Sequence, residues 1–396
     1  MHNPLLSLLN LSEQEKEARG LKYTPQEIFQ QPGTWKSTYQ KCVDKTEKLR
    51  RFLEQSGIGG AERMPPTVFL VGAGTSDYVG RALTHLLRLR WKCDAWAVPS
   101  TDLLTSMENL ITPGRQYLWI AFSRSGDSPE GVAVLEKALA GHPQIRHLVI
   151  TCNREGKMAR LCSSHAANTF ALVLDAAVND RGLAMTSSFT NMVIAGQCLA
   201  HLDDSEHYGE ILRSMREVGL RFLENAGKCA SGISAKGCAK MCFVGSGTLA
   251  AVANESALKV LELTAGKIHT MAESVLGLRH GPMSTLDKSS LFVMFLSSDE
   301  KRRGYEIDLL KEVREKKLGK MTVVVSPQTY EGLNELADCV LSLDAPRNLT
   351  DEYWAPVDII FAQLLGLFSS LNAGLLPDRP SPNGAISRVV SHVNIY

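Results

Sequence analysis

The stretch TVFLVGAGT (67–75) returns as KMCFVGSGT (240–248), about 173 residues further along the chain. Each copy is a short apolar run closing on Gly-x-Gly-Thr, which predicts a strand, a tight turn and a helix start. The correspondence continues outward from that pair. YLWIAFSRS (117–125) matches LFVMFLSSD (291–299), HLVITCN (147–153) matches MTVVVSP (321–327), and NTFALVLDA (168–176) matches DCVLSLDA (338–345). Four strands recurring in order over a whole domain length predict a duplicated α/β domain, each copy a parallel sheet flanked by crossover helices.

The rest of the chain fits around these strands. TSDYVGRALTHLLRLR (75–90) predicts a helix, CDAWAVPS (93–100) a second strand, and Pro129 to Leu139 another helix. A further helix starts near Thr186, residues 203–228 form a linking helix, and 245–266 carry one helix of the second copy. Residues 1–50 read as amphipathic helices. Thr24-Pro25-Gln26-Glu27 looks like a helix start, with Thr24 as N-cap and Glu27 closing a capping box, and QQPGT (30–34) breaks that helix. The expected boundaries are a helical N-terminal segment 1–49, a first domain 50–202, a linker helix with the second domain 203–372, and a C-terminal tail 373–396.

The chain has 396 residues, 44% hydrophobic and 21% charged, with a net charge of +1. That is an ordinary globular balance with no basic block, so nucleic acid is not an expected partner. The apolar stretch 359–376 contains Gln363, Ser369, Ser370 and Asn372 and reads as a buried helix; no membrane partner is expected. The N-terminus lacks the basic region and apolar length of a signal peptide. Nine cysteines without a Cys-x-x-Cys pair suggest reduced thiols and a cytoplasmic location.

Two loops of the first copy each follow a strand and open a helix: GAGTS (72–76) and SRSGDS (123–128). Unpaired N–H groups at a helix start, bare glycine backbone and short hydroxyl side chains suit an anion such as a phosphoryl group. The competing reading is structural, with glycines serving the turn and serines acting as caps. In the second copy GSGT persists, but SRSGDS has become SSDEKR, so the first copy is expected to hold the phosphate. A dinucleotide site is disfavoured because Asp77 stands where the third glycine of that fingerprint belongs. No cofactor is expected, and no His, Asp or Glu cluster has metal-ligand spacing.

Glu255, Lys259 and Glu262 share a helix face at i, i+4 and i+7, a pattern most often seen as a solvated salt-bridge stripe. His280 precedes Gly281-Pro282 in a loop. Phosphate loops with a carboxylate and a histidine suit aldose–ketose interconversion of a sugar phosphate. There one base moves a proton between adjacent carbons while the phosphate orients the chain.

These motifs together resemble the sugar isomerase (SIS) domain family in its double form. GAGTS, SRSGDS, CNREGKMAR, GLAMTSSFT (182–190), ESALKVLEL (255–263), RHGP (279–282) and EIFQQPGTW (27–35) carry the resemblance over nearly the whole chain. It implies two flavodoxin-like domains, related to the isomerase half of glucosamine-6-phosphate synthase. It further implies that Gly74, Thr75, Ser76, Ser123, Arg124, Ser125 and Ser128 bind the sugar phosphate, and that Leu183 and Thr186 lie on a sugar-contacting loop. Glu262 would be the enolisation base, Lys259 would hold it ionised, and His280 would open the ring, donated across a homodimer. Glu273 is a rival carboxylate, and only Arg388 or Ser391 stands near the family's C-terminal lysine.

With only about 50 residues before the first copy and His at position 2, glutamine-derived ammonia is not expected of this chain. The reverse direction is: D-galactosamine 6-phosphate to D-tagatose 6-phosphate plus ammonia, a deaminase/isomerase of amino-sugar catabolism. A plain aldose–ketose isomerase and a non-catalytic sugar-phosphate regulator are the alternatives.

Overall fold

The computed structural model describes residues 3–59, 64–390 and 393–396. Five helices open the chain: α1 (Pro4–Leu9), α2 (Glu13–Arg19), α3 (Thr24–Phe29), α4 (Gln31–Val43) and α5 (Thr46–Gln55). The first α/β copy follows as β1 (Thr67–Gly72), α6 (Thr75–Trp91), β2 (Ala95–Pro99), α7 (Ser100–Leu110), β3 (Tyr117–Ser123), α8 (Pro129–Gly141), β4 (Ile145–Thr151), α9 (Lys157–Ser164), β5 (Thr169–Val173) and α10 (Ser187–Ala200). The long α11 (Ser205–Ala235) leads to the second copy. That copy comprises β6 (Lys240–Gly245), α12 (Thr248–Leu263), β7 (His269–Ser274), β8 (Ser290–Phe295), α13 (Glu300–Glu315), β9 (Met321–Ser326), α14 (Leu333–Leu336), β10 (Cys339–Ser342) and α15 (Asp351–Asn372).

The duplication is realised strand for strand. The first sheet runs β2-β1-β3-β4-β5 and the second β10-β9-β8-β6-β7, and every pairing is parallel. Both follow the flavodoxin-like order. The central strands read as continuous apolar runs because helices cover both faces; β1 and β8 are buried throughout.

The turn glycines also recur. A Cβ on Gly72 would lie 2.3 Å from the Ser76 carbonyl carbon, and one on Gly245 would lie 2.3 Å from the Leu249 oxygen. Gly74 and Gly247 both take positive φ (55° and 58°) with ψ −125°. The turn therefore demands these glycines in both copies, whatever either copy binds.

The contacts divide the chain into two compact bodies. One comprises residues 1–32, 181–186 and 211–385 and holds the second sheet; the other comprises 33–180, 187–210 and 386–396 and holds the first. In the former, α15 is long and apolar enough to cross a membrane, yet it is almost entirely buried in protein.

The capping box expected at Thr24 is not formed. Asp378 caps α3 instead, accepting from the Thr24 N–H at 2.8 Å and the Thr24 hydroxyl at 2.7 Å. This frees the Glu27 carboxylate to accept the Arg181 and Gly182 N–H groups (2.5 and 3.3 Å). The break at QQPGT is a single residue, because Pro32 is tolerated in the first turn of α4.

Candidate active site

In the first sheet, both hydroxyl-rich loops leave the C-terminal ends of neighbouring strands. β1 lies beside β3, with Val71 opposite Ala121. The chain proceeds from β1 outward to β2 on one side and from β3 to β4 on the other. This is the topological switch point, where open α/β sheets leave a ligand crevice. The structure thus gathers Gly74, Thr75 and Ser76 with Ser123, Arg124, Ser125 and Ser128 around one set of strand ends.

The 123–128 loop is shaped by bonds that leave hydroxyl protons available. Gly126 N–H donates to Ser123 Oγ at 3.0 Å, and Asp127 N–H donates to Ser125 Oγ at 3.1 Å. Among the described residues, no carboxylate accepts from the hydroxyl of Ser123, Ser125 or Ser128. Two bracing residues had no role assigned from sequence. Asn153 Nδ2 donates to the Ser125 carbonyl at 2.8 Å, and Asp127 Oδ1 accepts the Lys157 N–H at 2.8 Å. Their signal lay in CNREGKMAR: a Cβ on Gly156 would lie 2.6 Å from Ser125 O, so only glycine lets the two loops approach.

The C-terminal tail crosses beside this loop. Arg124 donates to the Arg388 carbonyl, while the Arg388 guanidinium donates to Asp180 O (2.7 Å) and Asn179 Oδ1 (2.6 Å). Ser391 lies outside the described residues. Asp77, in the first turn of α6, is buried, and desolvation pushes its carboxyl up against the opposing pull of Arg81 at 2.8 Å.

In the other body, α12 carries the charged face read from sequence, but not as a solvated stripe. Lys259 and Glu255 are fully buried; Lys259 Nζ lies 2.5 Å from Glu262 Oε2 and 3.4 Å from Glu255 Oε1. A buried ammonium persists only when paired, and here a carboxylate stands on either side. Glu262 alone of the three keeps side-chain exposure, at 24%. Its carboxylate is therefore the one that can meet a ligand, held in place by the Lys259 ammonium.

His280 ends the 3₁₀ turn Gly277–His280 and is exposed; Arg279 ties that turn to α13 through Glu312 at 2.7 Å. Glu273 bends onto its own turn, accepting from the Ser274 N–H and hydroxyl at 2.7 and 3.0 Å. Thr186 is buried, and its carbonyl accepts from Gln363 Nε2 at 3.5 Å; the half-buried Leu183 donates its N–H to Asp378 O at 3.1 Å.

The doubled sheet, with its hydroxyl loops at the switch point, defines a class. Residues 64–202 and 236–368 each match the SIS domain, and the chain belongs to that family. Among particular relatives, it is 35% identical over 375 residues to the D-galactosamine-6-phosphate deaminase AgaS of Escherichia coli, covering 94% of this chain and 95% of that one. The crystal structure of the E. coli tagatose-6-phosphate ketose/aldose isomerase superposes with a TM-score of 0.85 at 32% identity, covering 94% and 96% of the two chains. A Clostridium novyi structure reaches 0.93 at 32% identity, covering 100% and 99%.

Proposed function

We propose that the protein converts D-galactosamine 6-phosphate and water to D-tagatose 6-phosphate and ammonia. The observation that carries the chemistry is the Lys259–Glu262 pair, which offers one partly exposed carboxylate held by a buried lysine. The likeness to the AgaS relatives over nearly the full length supports the substrate.

In this reading the strand-end hydroxyls and amides of the first sheet take the phosphate, and His280 opens the sugar ring. Glu262 removes the C2 proton, giving an enolamine, and returns it to C1. The resulting C2 imine is hydrolysed, its carbon becoming the ketone and its nitrogen leaving as ammonia. No electrons are gained or lost overall, and the same base serves both carbons because they are adjacent. The assembly is a homodimer in which His280 serves the partner's site.

The name of the E. coli structural relative favours a second reading, isomerisation without nitrogen. Incubation with galactosamine 6-phosphate, assaying ammonia and ketose together, separates the two. Stoichiometric release of both is expected; ketose formation from a hexose 6-phosphate with no ammonia from the amino sugar would establish the plain isomerase. Glu262→Gln should lower turnover by about 10³-fold or more while leaving substrate affinity within a few fold.

A further inference from the structure

We infer that the second sheet carries an anion cradle of the same build as the first, filled by the chain's own Asp351 carboxylate. Each chain therefore holds a single sugar phosphate. The substrate count rests on the function proposed above; the filled cradle does not.

β6 and β8 stand in the second sheet as β1 and β3 do in the first, with the same strand order and the same Gly-x-Gly turn. The loop after β8 reads Ser297-Ser298-Asp299 where the first copy has Ser123-Arg124-Ser125. Into this loop comes Asp351, from the first turn of α15 and more than fifty positions away. Its carboxylate accepts from the Ser297 hydroxyl at 2.5 Å, the Ser298 N–H at 2.7 Å and the Ser298 hydroxyl at 2.7 Å. Arg302 Nη1 adds a charged contact at 3.1 Å. Two hydroxyls, a backbone amide and a guanidinium converging on one anion form the kind of donor set that holds a phosphoryl group.

The Ser297 amide is taken as well, because Glu306 Oε2 accepts its N–H at 2.7 Å. Asp351, Glu306 and Asp358 are all buried. A phosphate entering here would find its donors already engaged by the Asp351 carboxylate.

The first copy differs at the corresponding place. Its last helix, α10, opens Ser187-Ser188 after Thr186, whereas α15 opens Asp351-Glu352 after Thr350. Serines stand where the second copy has acids, and no described carboxylate accepts from Ser123, Ser125 or Ser128. An ordinary first-turn acid would interact with the N–H groups of its own helix; Asp351 reaches across to the strand-end loop instead.

Equilibrium dialysis of the wild-type chain with inorganic phosphate, and of the Glu262→Gln variant with labelled galactosamine 6-phosphate, should count no more than one site per chain. A second site in either titration overturns the inference. Asp351→Gly should gain one phosphate site, and its melting temperature should rise with phosphate more steeply than that of the wild type. Asp351→Asn keeps the space filled and should gain none. If the glycine variant folds only in phosphate, the inference holds; if it does not fold at all, Asp351→Ser takes its place. A folded glycine or serine variant with no added phosphate site overturns it. Absence of ammonia release by the wild type would remove the proposed function but leave the phosphate counts untouched.

Discussion

Lys259 shows how much a single charge can hold in place. It is fully buried between Glu255 and Glu262, so Lys259→Met removes the cation that the buried Glu255 carboxylate faces. The expected loss is about 3–5 kcal/mol of stability, read from the denaturant midpoint. Glu306 makes a different prediction. Burial raises its carboxyl from the ordinary 4.5 to about 7, against the pull of the Ser297 N–H. Below pH 4.5 the group is protonated in both folded and unfolded chains and has no effect. Between 4.5 and 7 the folded chain keeps a proton the unfolded chain has lost, so stability falls as pH rises; above 7 the full penalty stands. Glu306→Gln should therefore be stabilising relative to wild type at pH 8, by up to about 3 kcal/mol, with the difference vanishing below pH 4.5. Melting curves across that range check it; a difference that grew toward acid would refute it.

At the scale of elements, α12 is set against α15 at a glycine. A Cβ on Gly366 would lie 2.7 Å from Leu263 Cδ1 and 3.2 Å from the Lys259 carbonyl. The leucine tip can move, but the helix backbone yields less. Gly366→Ala should cost about 1–3 kcal/mol and lower kcat by displacing the helix that carries Glu262, a split that melting and steady-state kinetics resolve. Most elements were legible in sequence because their signals are local: apolar runs, Gly-x-Gly turns and helical periodicity. β7 was not, since HTMAES (269–274) is a half-exposed edge strand with few apolar residues. The α3 start was misread for a related reason. Thr-Pro-x-Glu satisfies the local capping pattern, but Asp378 arrives from a distant part of the chain and takes the cap. The 72–76 and 123–128 loops were legible as donor-rich turns, whereas the bracing by Asn153 and Asp127 appears only once β3 and β4 lie side by side.

For the whole molecule, the first 32 residues belong to the body that holds the second sheet. Leu5, Leu8 and Ile28 are buried there, and Glu27 and Thr24 bond to segments far along the chain. Deleting residues 1–32 should make the chain insoluble or markedly lower its melting temperature, where removal of a mere leader would not. The proposal that His280 serves a partner's site makes a further prediction. Glu262→Gln and His280→Ala, each inactive alone, should recover roughly a quarter of wild-type activity when unfolded and reassembled together in equal amounts. No recovery in a mixture shown to exchange subunits would place His280 in its own chain's site.

By itself the sequence determined the doubled parallel α/β architecture and the hydroxyl-rich turns, because alternation, periodicity and turn chemistry act between near neighbours. Only the tertiary structure decided what the acidic residues do. Glu27 holds a loop, Glu255 neutralises a buried lysine, and Asp351 fills a cradle of donors. A carboxylate's role is set by which N–H, hydroxyl or cation the fold brings to it across space, and no spacing along the chain encodes that.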